Sequence, residues 1–330
     1  MNIVAPRAPL PPAAGVPRLV AGGRSYRLVG RVTGEGCESL ARSPNGRYEL
    51  YGVARDGRPA LELLDLRTGA RRLFREHACD AAWGRDGEIA YLRVASELIR
   101  PGNQGYATRA VVQRGLGGIP RAWTPSGSWQ DPVWAGSDLL LNSARGLVVL
   151  YGRGRERAVD GYPAGPLGPF VRVVAVSPGG GEALLDTQRL GPGGGGAGAV
   201  DRATLLDVGD GRVLSQAVVD GTGVASLAAG GSWQGNEIVT TDGYFRGGSS
   251  HPPPALVILA VTGGRVRVRS IMGFLEHGEA IPGQALAGAS QARFLDARKQ
   301  RVAVWFHVGD QQIHLACDLR TLLCAANHDR

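Results

Sequence analysis

The sequence predicts an all-β fold, a six-bladed β-propeller of four-stranded antiparallel blades, closed near the termini. Two observations predict it: two kinds of turn recur six times in the same order, and short apolar strands flank them. Residues 37–74 show one repeat most clearly, as four short strands joined by three tight turns. Such a sheet cannot bury both faces alone, so neighbouring sheets are expected to pack face against face. The alternative fold is a β-sandwich followed by a second domain.

The two recurring turns set the predicted blade boundaries. The first turn joins the first and second strands, at residues 43–46, 84–87, 135–138, 177–180, 234–237 and 296–299. The second joins the third and fourth strands, at residues 65–69, 113–118, 151–155, 207–211, 262–264 and 318–321. Glycine, asparagine and aspartate in these turns allow the positive φ that tight hairpins require. The predicted blades cover about residues 36–75, 77–124, 126–160, 165–220, 221–277 and 278–329.

A single propeller domain is predicted for residues 25–330, preceded by a segment rich in proline and alanine. That segment, residues 1–24, is expected to be an extended tether. Residues 25–32 contain a short apolar strand, which is expected to help closure by lying beside the last blade and covering its edge. No secretory signal is visible in residues 1–20, because a basic start and a continuous apolar core are missing.

The net charge of +8 comes almost entirely from arginine, because Lys299 is the only lysine. This charge favours attraction to an anionic polymer or surface, although a GC-rich genome would give the same composition without any such function. Basic residues never occur in runs longer than two, which argues against specific nucleic-acid binding. The longest apolar run, residues 255–261, is too short for a transmembrane segment.

The four cysteines are predicted to form two disulfides. Cys37 and Cys79 each enter the first strand of consecutive repeats, whereas Cys317 and Cys324 flank a tight turn and can face each other across a hairpin. Two disulfides would fit an oxidising compartment. The alternative is four buried thiols that pack as small apolar side chains. No structural metal site is predicted, because C-x-x-C and histidine pairs at zinc spacing are absent.

A family resemblance is carried by the first turns. These are Ser43-Pro44-Asn45-Gly46-Arg47, residues 83–91 (Trp83 to Tyr91) and Val176-Ser177-Pro178-Gly179-Gly180. They resemble the (F/W)SPDG-x-x-(I/L)-A-(F/Y) motif of TolB-type, WD-repeat-like β-propellers, and residues 64–69 and 206–211 resemble the D-x-x-(T/D)-G hairpin of that family. The resemblance covers about residues 36–329 and implies a six-bladed propeller, often an extracytoplasmic bacterial protein. It implies no particular activity, because propellers host both enzymes and interaction modules.

A candidate binding site is predicted where the first strands of the repeats begin. Asp80 and Asp131 each stand three residues before a tryptophan in equivalent places of the second and third repeats, and Glu38 falls nearby in the first. His77 and His277 lie in connections between repeats. First strands line the channel of a propeller, so these residues are expected to gather at one channel mouth, to bind a cation or a basic segment, or to supply an acid and a base. Alternatively, each carboxylate caps a turn or pairs with an arginine.

The sequence therefore favours a non-catalytic binding or scaffolding module outside the cytoplasm. Its expected partner is a protein or an anionic cell-envelope polymer bound through one face, with the chain a monomer or part of a hetero-complex. The alternative is an extracytoplasmic enzyme that acts on a polysaccharide or a peptide at the channel mouth. No cofactor is predicted, because the G-x-G-x-x-G match at residues 191–196 is followed by a strand pattern instead of a helix.

Overall fold

The fold class is the predicted one: the chain is an all-β, six-bladed β-propeller with four-stranded antiparallel blades. The computed structural model describes residues 18–22, 27–28, 40–55, 58–100, 103–143, 146–151, 155–159, 170–189, 200–218, 227, 230–241, 255–276, 279–280, 291–308 and 311–326. None of these residues lies in a helix. Within the described residues there is accordingly no helix with the length and apolar character needed to cross a membrane.

Two short strands, β1 (Arg18–Gly22) and β2 (Arg27–Leu28), come before the blades. Blade one contains β3 (Leu40–Arg42), β4 (Tyr48–Arg55), β5 (Arg58–Asp65) and β6 (Arg71–Glu76). Blade two contains β7 (Ala78–Trp83), β8 (Glu88–Arg100), β9 (Asn103–Arg114) and β10 (Arg121–Ala122). Blade three contains β11 (Gln130–Ala135), β12 (Asp138–Ser143), β13 (Gly146–Tyr151) and β14 (Arg155–Ala158).

The remaining blades follow the same order. Blade four contains β15 (Phe170–Val176), β16 (Glu182–Arg189), β17 (Val200–Asp207) and β18 (Arg212–Val218). Blade five contains β19 (Ser232–Gln234), β20 (Glu237–Thr241), β21 (Ala255–Thr262) and β22 (Arg265–Glu276), which pairs with the short β23 (Glu279–Ala280). Blade six contains β24 (Gln291–Phe294), β25 (Arg301–Val308), β26 (Gln311–Asp318) and β27 (Leu323–Ala326).

The chain divides into two compact units. The first unit comprises residues 31–199 and 204–215 with Arg330, and so holds blades one to three and most of blade four. The second unit comprises residues 1–30, 200–203 and 216–329, and so holds β1, β2 and blades five and six. In the second unit, β2 pairs with β26 of the last blade, at the place where residues 25–32 were expected to help closure. The predicted domain boundaries stay a prediction.

Apolar side chains on both faces of the blades build the core. In β12, Leu139 and Leu141 pack against blade two, whereas Leu140 packs against blade four. Successive residues of a strand point to opposite faces, so a strand buried on both sides needs a continuous apolar run. The runs of the second and third strands, which are the most deeply buried elements, meet this requirement. Blades five and six share an equivalent core that contains Val239 and Val302.

The recurring first turn has the same hydrogen bonds in blades one and four. The Ser43 hydroxyl accepts from the Tyr48 N–H at 2.9 Å, and the Ser177 hydroxyl accepts from the Glu182 N–H at 3.0 Å. In blade six an aspartate takes the place of the serine, and the Asp296 carboxylate accepts from two backbone N–H groups, those of residues 300 and 301. A side-chain oxygen that accepts from backbone N–H groups is therefore retained in blade six, where the sequence no longer matches the motif.

One of the two predicted disulfides is confirmed. Cys317 on β26 and Cys324 on β27 face each other as cross-strand partners, are joined by a disulfide, and have Cα atoms 3.9 Å apart. Cys79 is buried in β7, and Cys37 lies outside the described residues, so a bridge between them stays a prediction.

Candidate functional site

The first strands of blades two and three each contain an irregularity at an aspartate. In β7 the pairing with β8 shifts between Cys79 and Ala81, and Asp80 has φ 40°. In β11 the pairing with β12 shifts between Gln130 and Val133, and Asp131 has φ 50°. A bulge of this kind redirects a side chain, and aspartate tolerates a positive φ better than most residues. Both carboxyl groups therefore leave the regular alternation of their strands.

The bulges bring the two aspartates together. The backbone N–H of Asp131 donates a hydrogen bond to the carboxylate of Asp80, which joins the first strand of blade two to that of blade three. Asp80 is partly buried and Asp131 is exposed. Burial raises the pKa of Asp80 to about 7, with a further increase from the charge of Asp131, against a smaller decrease from the hydrogen bond. The carboxyl group of Asp80 can therefore gain or lose a proton near neutral pH.

Asn142 on β12 holds the second carboxylate in place. Its side-chain Nδ2 donates to Asp131 Oδ2 at 3.0 Å and to the Val171 carbonyl oxygen of blade four at 2.8 Å. One amide thus orients Asp131 and ties blade three to blade four. Asn142 is not among the site residues predicted from the sequence. The available signal was a polar residue directly after the buried run 139–141, opposite Gln130 in the ladder.

The other predicted site residues are not shown to join this pair. His77 is exposed, has φ 50°, and accepts a hydrogen bond at its backbone carbonyl from the Val94 N–H at 2.7 Å. Glu38 and His277 lie outside the described residues. The structure therefore brings together Asp80 and Asp131, which we call the aspartate pair.

At the opposite ends of the same first strands, the turns of blades two to four come into contact. Arg85 Nη1 of blade two donates to the Pro178 carbonyl oxygen of blade four at 3.0 Å. A Cβ atom on Gly180 would lie 2.3 Å from the backbone nitrogen of Gly136. The aspartate pair lies towards the other end, where the first strands begin.

The aspartate pair has two chemical capabilities. Two neighbouring carboxylates attract a guanidinium or ammonium group, whose positive charge offsets their mutual repulsion and which donates charge-assisted hydrogen bonds to them. A carboxyl group with a pKa near neutrality can also donate or accept a proton. In the part of the chain that the structure describes, His, Cys, Asp and Glu form no group of three or more that could hold a metal ion.

Comparisons with known proteins identify the fold. No protein-family model matches the chain, and no curated protein matches it. Among solved structures, oligogalacturonate lyase in complex with manganese has 11% identity over 86% of this chain and 77% of that chain, with a TM-score of 0.54. Hydrazine synthase from Kuenenia stuttgartiensis has 13% identity over 88% of this chain and 80% of that chain, with a TM-score of 0.51.

TolB from Acinetobacter baumannii is also a structural neighbour. It has 17% identity over 72% of this chain, with a TM-score of 0.46, and this chain spans 57% of the TolB chain. The fold is that of a β-propeller. Because these proteins share so little sequence, the likeness extends to the fold alone.

Proposed function

We propose that this chain is a non-catalytic binding module, and that the aspartate pair holds a lysine or arginine side chain of a partner protein. One observation carries this proposal: two carboxyl groups from neighbouring blades meet at bulged strand starts, where Asn142 fixes one of them. Without a bound cation, burial and the charge of Asp131 destabilise the ionised form of Asp80, as its raised pKa shows. A bound cation offsets the repulsion between the two carboxylates and favours the ionised form of Asp80.

The net charge of +8 does not prevent a basic side chain from binding. Long-range repulsion slows the approach of a cationic partner, but salt at physiological strength screens charges beyond about 8 Å. Within that distance, the charge that acts on Asp80 is that of Asp131. The electrostatic contribution of the whole chain therefore affects the association rate more than the affinity.

The carboxyl group of Asp80 also supports an alternative function, that of an acid–base enzyme. A carboxyl with a pKa of about 7 beside a second carboxyl can protonate a leaving group at neutral pH, as an acid–base enzyme requires. Such an enzyme would act on a polysaccharide or a peptide. Oligogalacturonate lyase, one of the structural neighbours, supplies a first substrate to test.

The experiment measures the binding of a fluorescent peptide of several arginines by anisotropy, at about pH 8 and about pH 5.5. We expect Asp131→Asn to weaken binding at the higher pH roughly tenfold, because one charge-assisted contact is worth about 1.5–3 kcal/mol. Wild-type affinity should fall at the lower pH as Asp80 takes up a proton. Asp86→Asn, an exposed aspartate of blade two, is the matched control and should bind as wild type does.

Unchanged binding in both Asp80→Asn and Asp131→Asn would contradict the proposal. Incubation with oligogalacturonate and with polypeptides, followed by mass spectrometry, tests the enzyme. Products that form with the wild type and disappear with Asp80→Asn would show that the chain is an enzyme instead of a non-catalytic binding module.

The proposed compartment is outside the cytoplasm. The Cys317–Cys324 disulfide supports it, since structural disulfides form and persist in oxidising compartments. An anionic envelope polymer as partner stays a prediction from the net charge, supported by exposed arginines in the fourth strands of several blades. These are Arg71, Arg72, Arg121, Arg155, Arg157, Arg212 and Arg265.

A further inference from the structure

Strand β22, the fourth strand of blade five, carries arginine at alternate positions. Arg265, Arg267 and Arg269 are all exposed, whereas Val266 between the first two is buried. Successive residues of a strand point to opposite faces, so this alternation places the arginines on one face at intervals of about 7 Å. Among the fourth strands that the structure describes, β22 alone has three arginines in this arrangement. We call Arg265, Arg267 and Arg269 the arginine row.

The pairing of β22 assigns the arginine row to the face that carries Glu237. Arg267 lies opposite Ala260 of β21, which lies opposite Glu237 of β20, so these three residues share one face. Arg269 follows at a bulge and forms an ion pair with Glu237. Val239, two residues after Glu237 and so on the same face, packs in the core that blades five and six share. The arginine row therefore lies at the outer rim of the face that blade five turns towards blade six.

In the part of the chain that the structure describes, two of the three guanidinium groups have no partner. Neither Arg265 nor Arg267 makes a side-chain hydrogen bond or ion pair there. Glu237 is already shared, because Arg269 pairs with one of its oxygens and Lys299 Nζ lies 3.3 Å from the other. One carboxylate thus faces four basic side chains, and the arginine row keeps an excess of positive charge.

The strand edge beside the arginine row is open. β22 pairs along one edge with β21 and β23, and along the other edge with β1, at residues 273–276. Within the described residues, no strand pairs with that second edge at residues 265–272. Backbone N–H and C=O groups at such an edge are free to pair with an added strand. The pairing with β1 further along shows that this edge accepts one.

Charge and edge together determine which occupant fits. Arginine binds a carboxylate through two parallel hydrogen bonds, and an anionic polysaccharide would satisfy that charge as well as a peptide would. A polypeptide also uses the open edge, because an added strand pairs its backbone with β22 and repeats its side chains at the same interval of about 7 Å. Acidic residues at alternate positions of that strand would each lie opposite one arginine.

We propose that residues 265–272 of β22 bind an acidic segment of a partner protein as an added strand, with aspartate or glutamate at alternate positions facing the arginine row. Charged side chains on an edge strand commonly keep other chains away. Three like charges on one face exclude basic strands and attract an acidic one, so the same residues provide specificity. β22 belongs to the second unit, whereas Asp80 and Asp131 belong to the first, so this proposal does not rest on the aspartate pair.

Fluorescence anisotropy with a labelled peptide of alternating glutamate and threonine tests the proposal. A peptide of the same composition with its glutamates in one block is the comparison, and we expect it to bind roughly tenfold more weakly because its charges miss the interval of the arginine row. Arg265→Gln with Arg267→Gln should weaken the alternating peptide roughly tenfold, since each exposed ion pair changes affinity by up to about fivefold. Arg72→Gln with Arg212→Gln removes two exposed arginines from other fourth strands and should leave binding as in wild type.

N-methylated peptides test the strand pairing without any change to the protein. Methyl groups on alternate backbone nitrogens block one edge of the peptide, and the two possible sets block opposite edges. We expect one set to weaken binding roughly tenfold or more, because several ladder hydrogen bonds are lost, and the other set to bind as the unmodified peptide does. Equal effects of the two sets, whether none or large, would mean that no strand is added and would overturn the proposal.

The remaining outcomes are also decisive. The proposal is wrong if the alternating peptide does not bind, if the block peptide binds equally well, or if the variant with Arg265→Gln and Arg267→Gln binds as the control variant does. Polygalacturonate that displaces the peptide at a lower concentration of carboxylate groups would make a polysaccharide the occupant instead. Asp131→Asn should leave the acidic peptide bound, which separates this surface from the aspartate pair.

Discussion

At the scale of single residues, the backbone at Asp80 and Asp131 supports the proposed site. Both aspartates have a positive φ, 40° and 50°, at equivalent places of neighbouring blades. A left-handed conformation costs a non-glycine residue roughly 1–2 kcal/mol. Strain of this kind clusters at functional sites, where the surrounding structure maintains it. If each aspartate only capped a turn, that role alone would not explain why two consecutive blades bear the same free-energy cost of a positive φ.

The raised pKa of Asp80 predicts an unusual dependence of stability on pH. Asp80 has a pKa of about 7 in the folded chain, against an ordinary value near 3.8. Between these two values the folded chain binds the proton that the unfolded chain has released, so the free energy of unfolding decreases as the pH rises from about 4 to about 7. Asp80→Asn should remove that decrease and gain about 1–3 kcal/mol over wild type between about pH 4.5 and pH 8.

Urea unfolding of the two proteins across this pH range measures the effect. Asp86→Asn is again the control, and its difference from wild type should stay constant with pH. A difference between Asp80→Asn and wild type that does not change with pH would show that Asp80 ionises as it does in the unfolded chain.

Lys299 shows how one residue departs from the turn pattern. It occupies the last position of the first turn of blade six, where Gly46, Gly87 and Gly180 stand in other blades, and it has a φ of 56°. Its ammonium group lies 3.3 Å from Glu237 Oε2 and 3.1 Å from Asn236 Oδ1 of blade five. The ion pair between Lys299 and the buried carboxylate of Glu237 offsets the free-energy cost of the positive φ at Lys299. Glu237 also pairs with Arg269.

At the scale of elements, tryptophans at the ends of the first strands join consecutive blades. Trp83 Nε1 donates to the Ala41 carbonyl oxygen at 3.1 Å, and Trp134 Nε1 donates to the Ala82 carbonyl oxygen at 3.2 Å. Each indole therefore reaches the same place in the blade before it. Both tryptophans therefore take part in the packing between blades. The hydrogen bonds repeat because the first strands repeat.

The close contact between the first turns of blades three and four predicts a large loss of stability when one methyl group is added at Gly180. Gly180 has φ 76°, and a Cβ atom there would meet backbone atoms of blade three. Gly69, in the second turn of blade one, has φ 74° and no heavy atom within 4 Å of its Cβ position. Gly69→Ala should cost about 1 kcal/mol through the backbone alone. Gly180→Ala should cost about 3 kcal/mol or more, because backbone atoms must also move apart.

Urea unfolding of both variants separates the two contributions. The matched φ values make Gly69→Ala the control for backbone strain. Equal losses of stability in the two variants would mean that the turns of blades three and four do not touch in solution.

At the scale of the whole molecule, the sequence predicted what each repeat determines by itself. The turn positions, the blade count and the Cys317–Cys324 bridge follow from local patterns, and the structure confirms them. The closeness of Asp80 and Asp131 followed from their equivalent positions in two repeats. The polar position of Asn142 after a buried run was visible in the sequence, but its bonds to Asp131 and Val171 were not, because they depend on side-chain directions across blades. The parallel pairing of β1 escaped prediction too, since its partners lie near the other end of the sequence.

The architecture also predicts how stability is distributed along the chain. Second and third strands pair on both edges and are buried on both faces; β13, for example, contains four consecutive buried residues. Fourth strands pair on one edge within the blade, and every residue of β14 is exposed. Local opening needs less free energy where few apolar contacts and edge hydrogen bonds must break. Fourth strands should therefore exchange their amide hydrogens first, roughly tenfold faster for each 1.4 kcal/mol of lower opening free energy.

Hydrogen exchange followed by mass spectrometry of peptides from β13, β14 and β27 measures this distribution. The fourth strand of blade six provides an internal comparison, because a disulfide holds β27 to β26 and β1 covers its other edge. It should exchange more slowly than β14 and lose part of that protection when the disulfide is reduced. Equal rates in β13 and β14 would mean that the blades open only by global unfolding, so that neither burial nor edge pairing controls local stability.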